Sequence, residues 1–213
     1  MAPKLIERAQ NYVRDKFENE YSGHDYFHTL RVFKMAMRIA ECEGADVEIV
    51  QLAALLHDVD DRKISPETYE SQANVREFLI SNDLDKNTIE LICKIIREIS
   101  FGINNSVPST LEGKCVQDAD RLDAIGAIGI ARAFAYGGNH NRLMYHPEIK
   151  PNENMTKEEY IKSESTTINH FYEKLFKLTA LLNTQTAIHI AKARERYMKE
   201  FVAEFMDEWD GIC

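Results

Sequence analysis

The sequence has few cysteines and no long apolar run. Its 213 residues include four cysteines, and none of Cys42, Cys93, Cys115 and Cys213 belongs to a C-x-x-C pair. They therefore indicate reduced thiols in a cytosolic protein. The first residues contain no apolar stretch of signal length, and no segment reaches the roughly 18 apolar residues of a membrane helix. We expect a soluble cytoplasmic protein.

Positive charge is also scarce. Lysine and arginine number 26 against 35 aspartate and glutamate residues, which gives a net charge of -9 and a pI of about 5.3. This balance argues against general binding to nucleic acid or to an anionic membrane, because both need surplus Lys and Arg. It leaves an anionic substrate open, because a bound divalent cation can reverse the sign of charge in a pocket.

Strand patterns, internal repeats and low-complexity tracts are missing as well. Hydrophobic residues make up 44% of the chain, which is enough for a buried core. Apolar residues recur at spacings of three and four, which is typical of helices, so we expect an all-α, irregular helical bundle. The predicted helices cover about 5–17, 27–44, 46–56, 66–79 (opened by Pro66), 89–99, 113–136, 156–182 and 184–209.

One apolar helix runs directly into His57 and Asp58. Burying an ionised carboxylate beside an imidazole costs several kcal/mol unless a partner compensates, and a metal ion is an efficient partner. The alternative is a solvated helix end, because Asp60, Asp61 and Arg62 follow at once. Adjacent helical residues point about 100° apart, so an ion bound by both needs further ligands from other helices.

His28 is the first candidate for such a further ligand. It lies four residues before Val32 and eight before Ala36, on the inward stripe of its helix. A single inward histidine is more often a hydrogen-bonded core residue than a metal ligand. The presence of His57 and Asp58 in the same chain makes the ligand interpretation competitive.

A second source of ligands is a helix that carries three carboxylates in six residues, Asp118, Asp120 and Asp123. Asp118 and Asp120 are about 200° apart around the helix, so they cannot serve one site together. Small neighbours leave room for an ion beside Asp120. The alternative for Asp118 and Asp123 is that they are surface charges or that they pair with Arg121 or Arg132.

These residues occur in an order that resembles a known family. His28, then His57-Asp58 at the end of an apolar helix, then Asp120 within Ala-Asp-Arg-Leu, is similar to the HD superfamily of metal-dependent phosphohydrolases. Residues 24–32, 117–132 and 208–211 extend the likeness to small bacterial HD-domain proteins of largely unassigned substrate. The resemblance implies a helical fold, a divalent metal, and hydrolysis of phosphate esters, often of nucleotides.

The resemblance covers nearly the whole chain and implies one HD-type domain over residues 1–213. Its metal-binding core would lie at about 20–136, followed by a loop at 137–156 and a C-terminal helical extension at 157–213. The loop contains Gly137, Gly138, Pro147 and Pro151. It is long for a connection in a compact domain, so we consider it a candidate lid or substrate loop.

By position in this pattern, the metal-ligand role falls on His28, His57, Asp58 and Asp120. This set of nitrogen and oxygen ligands suits Mn²⁺, Fe²⁺, Co²⁺, Ni²⁺ or Zn²⁺, and suits Mg²⁺ less well. Some HD subgroups bind a second ion through extra histidines between the HD pair and the final aspartate. No histidine lies between His57 and Asp120 here, so we expect one divalent ion. His140, His146 or His170 could still approach in space.

Three further residues are candidates for catalysis. Asp61 stands where some nucleotide-hydrolysing relatives carry an acidic residue that acts on the attacking water, although it could equally be an exposed helix-end charge. Arg31 lies three residues after His28 and could clamp a phosphate, and His24 lies four residues before His28 and could flank the same pocket.

Four more residues are candidates for substrate binding: Arg121, Arg142, His170 and Lys174. A solvated or core role is the alternative for each. The expected partners are a small phosphorylated molecule such as a nucleotide and, in a homodimer, a second copy of this chain. Aromatic residues at helical spacing near the C-terminus indicate core or dimer contacts rather than stacking platforms for bases: Phe171, Tyr172, Phe176, Tyr197, Phe201 and Phe205.

Three functions remain open on the sequence. The first is a phosphomonoesterase or nucleotide hydrolase. The second is a nucleotide-binding regulatory protein that keeps the metal site without turnover, which the lack of an unambiguous general base favours. The third is a di-iron oxygenase, which needs more histidine ligands than the linear motif supplies.

Overall fold

The chain is helical, as its periodicity predicts. The computed structural model describes residues 3–18, 25–62, 64–99, 107–155 and 165–212, and within these ranges it contains helices and no strand. The helices are α1 (Pro3–Lys16), α2 (Tyr26–Glu43), α3 (Val47–Leu56), α4 (Ala73–Ser81), α5 (Lys86–Ile99), α6 (Leu111–Asp123), α7 (Gly126–Asn139), α8 (Thr167–Glu173), a 3₁₀ helix (Leu175–Leu181) and α9 (Gln185–Trp209).

The contacts divide the chain into two compact units. The first contains residues 1–120 together with 183–187, and the second contains residues 121–182 together with 188–213. Helix α6 begins in the first unit and ends in the second, and α9 does the same. That the whole chain forms one HD-type domain stays a prediction.

Helix α3 lies at the centre of the first unit. Every side chain from Leu52 to Leu56 is fully buried, and α3 packs against α1, α2 and α5. Asp46 begins the helix as its N-cap and accepts hydrogen bonds from the backbone N–H groups of Glu48 and Ile49. Five successive buried residues leave no polar face on the second half of α3, so His57, which follows it, begins in the protein interior.

Two local predictions were wrong. Pro66 lies in a run of turns, and helix α4 begins at Ala73, because Gln72 takes a left-handed backbone conformation (φ 52°) that a continuous helix does not allow. The helix predicted for 113–136 breaks between Asp123 and Gly126, where Gly126 has a φ of +79°.

The second unit is organised around an aromatic core. The ring of Phe134 lies 6.4 Å from that of Phe171 and 5.9 Å from that of Phe201. The core prediction holds for the fully buried Phe171, whereas Tyr172 and Tyr197 are exposed. No helix in the described part of the chain is long and apolar enough to cross a membrane.

The segment that follows α7 is hydrogen-bonded to residues of α8. Helix α7 continues to Asn139 despite Gly137 and Gly138, so the irregular stretch begins later than predicted. Thr167 N–H donates to Leu143 O at 2.9 Å, and Asn169 Nδ2 donates to Ile149 O at 2.8 Å. Of the helix predicted for 156–182, residues 156–164 lie outside the described chain. The rest forms α8 and the 3₁₀ helix, with a break at Lys174.

Candidate metal centre

His57 closes helix α3, and a hydrogen bond sets the state of its ring. Its Nδ1 lies 2.8 Å from the backbone oxygen of Ala54, three residues earlier. A carbonyl oxygen only accepts, so Nδ1 carries the proton and, in the neutral ring, Nε2 keeps its lone pair. That Nε2 is buried, and Oδ2 of Asp58 lies 3.2 Å from it. A buried nitrogen lone pair with the other nitrogen hydrogen-bonded is the arrangement of a metal-binding histidine.

His28 comes to the same place from the first turn of α2. Asp25 caps this helix, and its Oδ1 accepts a hydrogen bond from the backbone N–H of His28 at 2.7 Å. The side chain is 1% exposed, and its ring centre lies 5.5 Å from that of His57 at an angle of 63°. The inward position expected for His28 is confirmed.

Two carboxylates complete the cluster. Asp58 Oδ2 lies 3.2 Å from His57 Nε2 and 3.5 Å from His28 Nε2, and Asp120 Oδ1 lies 3.5 Å from His28 Nε2. Ligand atoms of His28, His57 and Asp120 all lie within 4.8 Å of one another. Asp58 is buried, whereas the side chain of Asp120 is 32% exposed. The cluster is therefore more accessible to solvent on the side of Asp120.

These distances test whether the residues fit a divalent ion. Two ligands held about 2.1 Å from one ion, at angles of roughly 90–109°, are separated by about 3.0–3.4 Å. The three nitrogen-to-oxygen distances are close to that range and longer than the roughly 2.8 Å of a direct charge-assisted hydrogen bond. The residues therefore fit a single ion held by imidazole nitrogens and carboxylate oxygens.

The carboxylates also set the charge state of His57. Burial lowers its pKa, but the charge of Asp58, a hydrogen bond with that carboxylate and the charge of Asp120 raise it more, so that the pKa reaches about 9. The negative potential that holds a proton on the imidazole is the same potential that attracts a cation. An ion that binds here must displace that proton.

The neighbouring acids on α6 have other partners. Asp118 is fully buried and is not a surface charge: its oxygens accept hydrogen bonds from Asn183 and from the backbone and hydroxyl of Thr184, at 2.7–3.1 Å. Asp123 pairs with Arg132 at 2.5 Å, which confirms that expectation for one of the two acids. Asp120 is thus the acid of this helix that faces the histidines.

Two of the three candidate catalytic residues, Asp61 and Arg31, lie in the first unit. Asp61 is half-buried, and its backbone N–H donates to Asp58 O at 3.0 Å, so it belongs to the turn that carries the metal candidates. Arg31 is half-buried on α2, one turn after His28. His24 lies outside the described residues. The catalytic roles of all three stay predictions.

The candidate substrate-binding residues lie in the second unit. Arg121 is 5% exposed, and its guanidinium donates to the carbonyl of Leu181. The structure places Arg142 and Lys174 near His170: burial lowers the pKa of His170, and the positive charges of Lys174 and Arg142 lower it further, to about 3. The substrate-binding roles of these four residues stay predictions.

One polar residue close to the site was missed in the sequence. Asp60, which the alternative interpretation placed in a solvated helix end, is 4% exposed and accepts hydrogen bonds from Thr68, Asn74 and Val75. Its partners follow it by 8 to 15 residues, Thr68 in a run of turns and Asn74 and Val75 at the start of α4, so helical spacing does not reveal them.

Comparison with known families agrees with this geometry. The family model of the HD domain matches residues 25–125, a range that contains His28, His57, Asp58 and Asp120. The uncharacterized protein YpgQ of Bacillus subtilis is 35% identical over 98% of this chain and 96% of its own.

Solved structures of similar proteins extend the comparison. An HD-superfamily hydrolase from Bacillus thuringiensis is 40% identical, with a TM-score of 0.80 and 97% of each chain covered. The structure of B. subtilis YpgQ in complex with ADP is 32% identical, with a TM-score of 0.76, and covers 98% of this chain and 100% of that one. A symmetrical bis(5'-nucleosyl)-tetraphosphatase of Staphylococcus aureus is 31% identical over 47% of this chain and 50% of its own.

Proposed function

The chain belongs to the HD-domain family, and from that premise we propose that it is a metal-dependent phosphohydrolase that cleaves a phosphate ester of a nucleotide or a related small molecule. The observation that carries the proposal is the convergence of His28, His57, Asp58 and Asp120 at distances that suit one divalent ion.

The four side chains would hold the ion through the Nε2 atoms of His28 and His57 and through oxygens of Asp58 and Asp120. When bound, a divalent ion acts as a Lewis acid that lowers the pKa of water and neutralises the charge that develops on a phosphoryl group. Asp120 is the most exposed of the four, so we place the approach of the substrate on its side.

The protein's own groups would orient the reactants. Asp61, in the turn of Asp58, would accept a hydrogen bond from the attacking water and take its proton. Arg31, one turn after His28, would donate to the phosphoryl oxygens through its planar guanidinium. For the second unit by itself we propose that Arg142, His170 and Lys174 bind anionic oxygens of a phosphorylated ligand, because this cluster holds two cations. Arg121, which donates to the carbonyl of Leu181, is the fourth residue proposed for that role.

The preference for a nucleotide rests on relatives. YpgQ, which aligns over nearly the full length of both chains, has been crystallised with ADP, and the more distant tetraphosphatase is named for a dinucleotide substrate. The proposed single ion of Mn²⁺, Fe²⁺, Co²⁺, Ni²⁺, Zn²⁺ or Mg²⁺ follows from the ligand types, which favour the transition metals over Mg²⁺.

The test is turnover by protein loaded with Mn²⁺ and offered a panel of nucleotides and a generic phosphate ester. We expect phosphate or pyrophosphate release that His57→Ala and Asp58→Ala each abolish. His189→Ala, which truncates an exposed histidine of α9, serves as the matched control and keeps full activity. Turnover that survives both His57→Ala and Asp58→Ala rules out the proposal.

A second function, nucleotide binding without turnover, is favoured by the ADP complex of YpgQ. It predicts that nucleotides raise the melting temperature of the metal-loaded protein while no product forms. A thermal-shift screen run beside the product assay separates the two functions, because any catalytic turnover rejects the second.

A further inference from the structure

Asp60 is a buried aspartate in the turn that carries Asp58 and Asp61, next to the candidate metal centre. We call Asp60 and the hydrogen bonds that it accepts the anchor of this turn. Asp60 is 4% exposed, and its hydrogen-bond partners in the part of the chain that the structure describes include no lysine or arginine. Its Oδ1 accepts from Thr68 Oγ1 at 2.5 Å and from Asn74 Nδ2 at 2.7 Å, and its Oδ2 accepts from the backbone N–H of Val75 at 3.0 Å. Three donors compensate a buried carboxylate, so this position is selective for an acid.

The anchor lies inside the turn that carries the metal candidates. The backbone N–H of Val59 donates to Leu56 O, that of Asp61 donates to Asp58 O, and that of Ser65 donates to Asp61 O. Each of these bonds passes over or next to Asp60. A shift of the Asp60 backbone therefore moves Asp58 on one side and Asp61 on the other.

The segment whose residues donate to Asp60 is itself held in place by Gln72. Gln72 precedes α4 and is 3% exposed; its Nε2 donates to Cys93 O at 2.9 Å, and its Oε1 accepts from Arg97 at 3.1 Å. Both partners lie on α5, which packs against α3. The donors that hold Asp60 are thus attached to the same core that supports His57.

We propose that Asp60 is a positioning residue for the candidate metal centre, and that its bonds to Thr68, Asn74 and Val75 hold the turn in which Asp58 and Asp61 face the ion. The inference rests on the proposed function, because it presumes that a cation binds at His28, His57, Asp58 and Asp120. It adds that a change at Asp60 or Thr68, neither of which is a proposed ligand, weakens the binding of the ion. Mutation of a group that orients a metal ligand typically lowers the affinity for the metal by about 10- to 100-fold.

Two changes weaken the anchor and one preserves it. Asp60→Asn keeps the shape but places an amide N–H₂ against a donor, and Thr68→Val removes one donor at nearly constant volume. Thr68→Ser keeps the hydroxyl. The matched control is Asp85→Ala, because Asp85 also accepts three hydrogen bonds at the start of a helix, from Asn87 N–H and from the N–H and hydroxyl of Thr88, but that helix carries no candidate ligand.

The measurement is the dissociation constant of Mn²⁺ by isothermal titration calorimetry, with thermal unfolding of the apoprotein recorded for every variant. We expect Asp60→Asn and Thr68→Val to raise the dissociation constant by about 10-fold or more, and Thr68→Ser and Asp85→Ala to leave it within twofold of wild type. Should Asp60→Asn fail to fold, Thr68→Val and Thr68→Ser decide the question.

The outcomes separate the inference from the function on which it rests. Wild-type protein that binds Mn²⁺, with Thr68→Val binding it equally well, overturns the inference and leaves the proposed function standing. An equal loss of affinity in Asp85→Ala would also overturn it, because the effect would then follow from lost stability alone. Wild-type protein that binds no divalent ion overturns both.

Discussion

The Nε2 atom of His28 lies 3.5 Å from Oδ1 of Asp120, although the two residues belong to helices α2 and α6 and are far apart in the chain. This contact is the condition on which a shared ion depends, because ligands of one ion must lie within a few ångströms of each other. Asp58 stands at the same distance from His28, so the imidazole faces carboxylates from two elements.

Removing Asp120 should weaken ion binding more than loosening any supporting group does. Asp120→Ala leaves His28 and His57 in place but takes away an anionic ligand, so we expect the dissociation constant of Mn²⁺ to rise by about 100-fold or more. Calorimetric titration of the apoprotein measures it. Asp207→Ala, which removes an exposed carboxylate of α9, controls for net charge and should bind as wild type does. Equal affinities for Asp120→Ala and wild type would exclude Asp120 as a ligand.

The protein should bind one ion per chain. Among the described residues, the one cluster of three or more histidine, cysteine or acidic side chains that suits an ion is that of His28, His57 and Asp120. Elemental analysis of protein loaded with Mn²⁺ or Fe²⁺ and then desalted should give a ratio close to one. In His57→Ala the ratio should fall towards zero. A ratio of two in wild type would contradict the single-ion site and return the di-iron oxygenase to consideration.

Asp118 should matter for stability rather than for the ion. Its carboxylate joins α6 to the chain before α9 through Asn183 and Thr184. Asp118→Ala leaves several of those buried donors without an acceptor, so we expect the free energy of unfolding to fall by about 3 kcal/mol or more. Urea denaturation followed by circular dichroism measures the change. Asp85→Ala, at an exposed helix cap, should cost clearly less. A loss no greater than that of the control would show that the Asp118 network contributes little.

The sequence predicted the parts of this site that depend on local pattern. The apolar run before His57 predicted a buried helix, and α3 ends at Leu56 with His57 as its C-cap. The inward stripe of α2 predicted the burial of His28. Both follow from helical periodicity, which needs only neighbouring residues.

Helical periodicity does not predict contacts between segments that are far apart in the sequence. The sequence left a surface charge open as an alternative for Asp118, because its partners, Asn183 and Thr184, are remote in sequence and no local pattern reveals them. For the same reason, the alternative interpretation placed Asp60 in a solvated helix end. The break before Gly126 did have a local signal: a Cβ on Gly129 would lie 2.3 Å from Ala124 O, and Gly126 has a positive φ, so two glycines three residues apart mark the sharp turn.

His170 should make the folded protein sensitive to acid. Burial, together with the charges of Lys174 and Arg142, lowers its pKa from 6.5 to about 3. Between these two values the unfolded chain binds a proton that the folded chain does not, so stability is complete above pH 6.5 and falls as the pH falls towards 3. From pH 7.5 to 5.5 the loss due to this group should be about 1.4 kcal/mol. The loss is measured as the difference between wild type and His170→Gln in urea denaturation at each pH. Wild type should lose more stability than His170→Gln over this interval, and equal losses would mean that His170 is protonated as readily in the folded protein as in the unfolded chain.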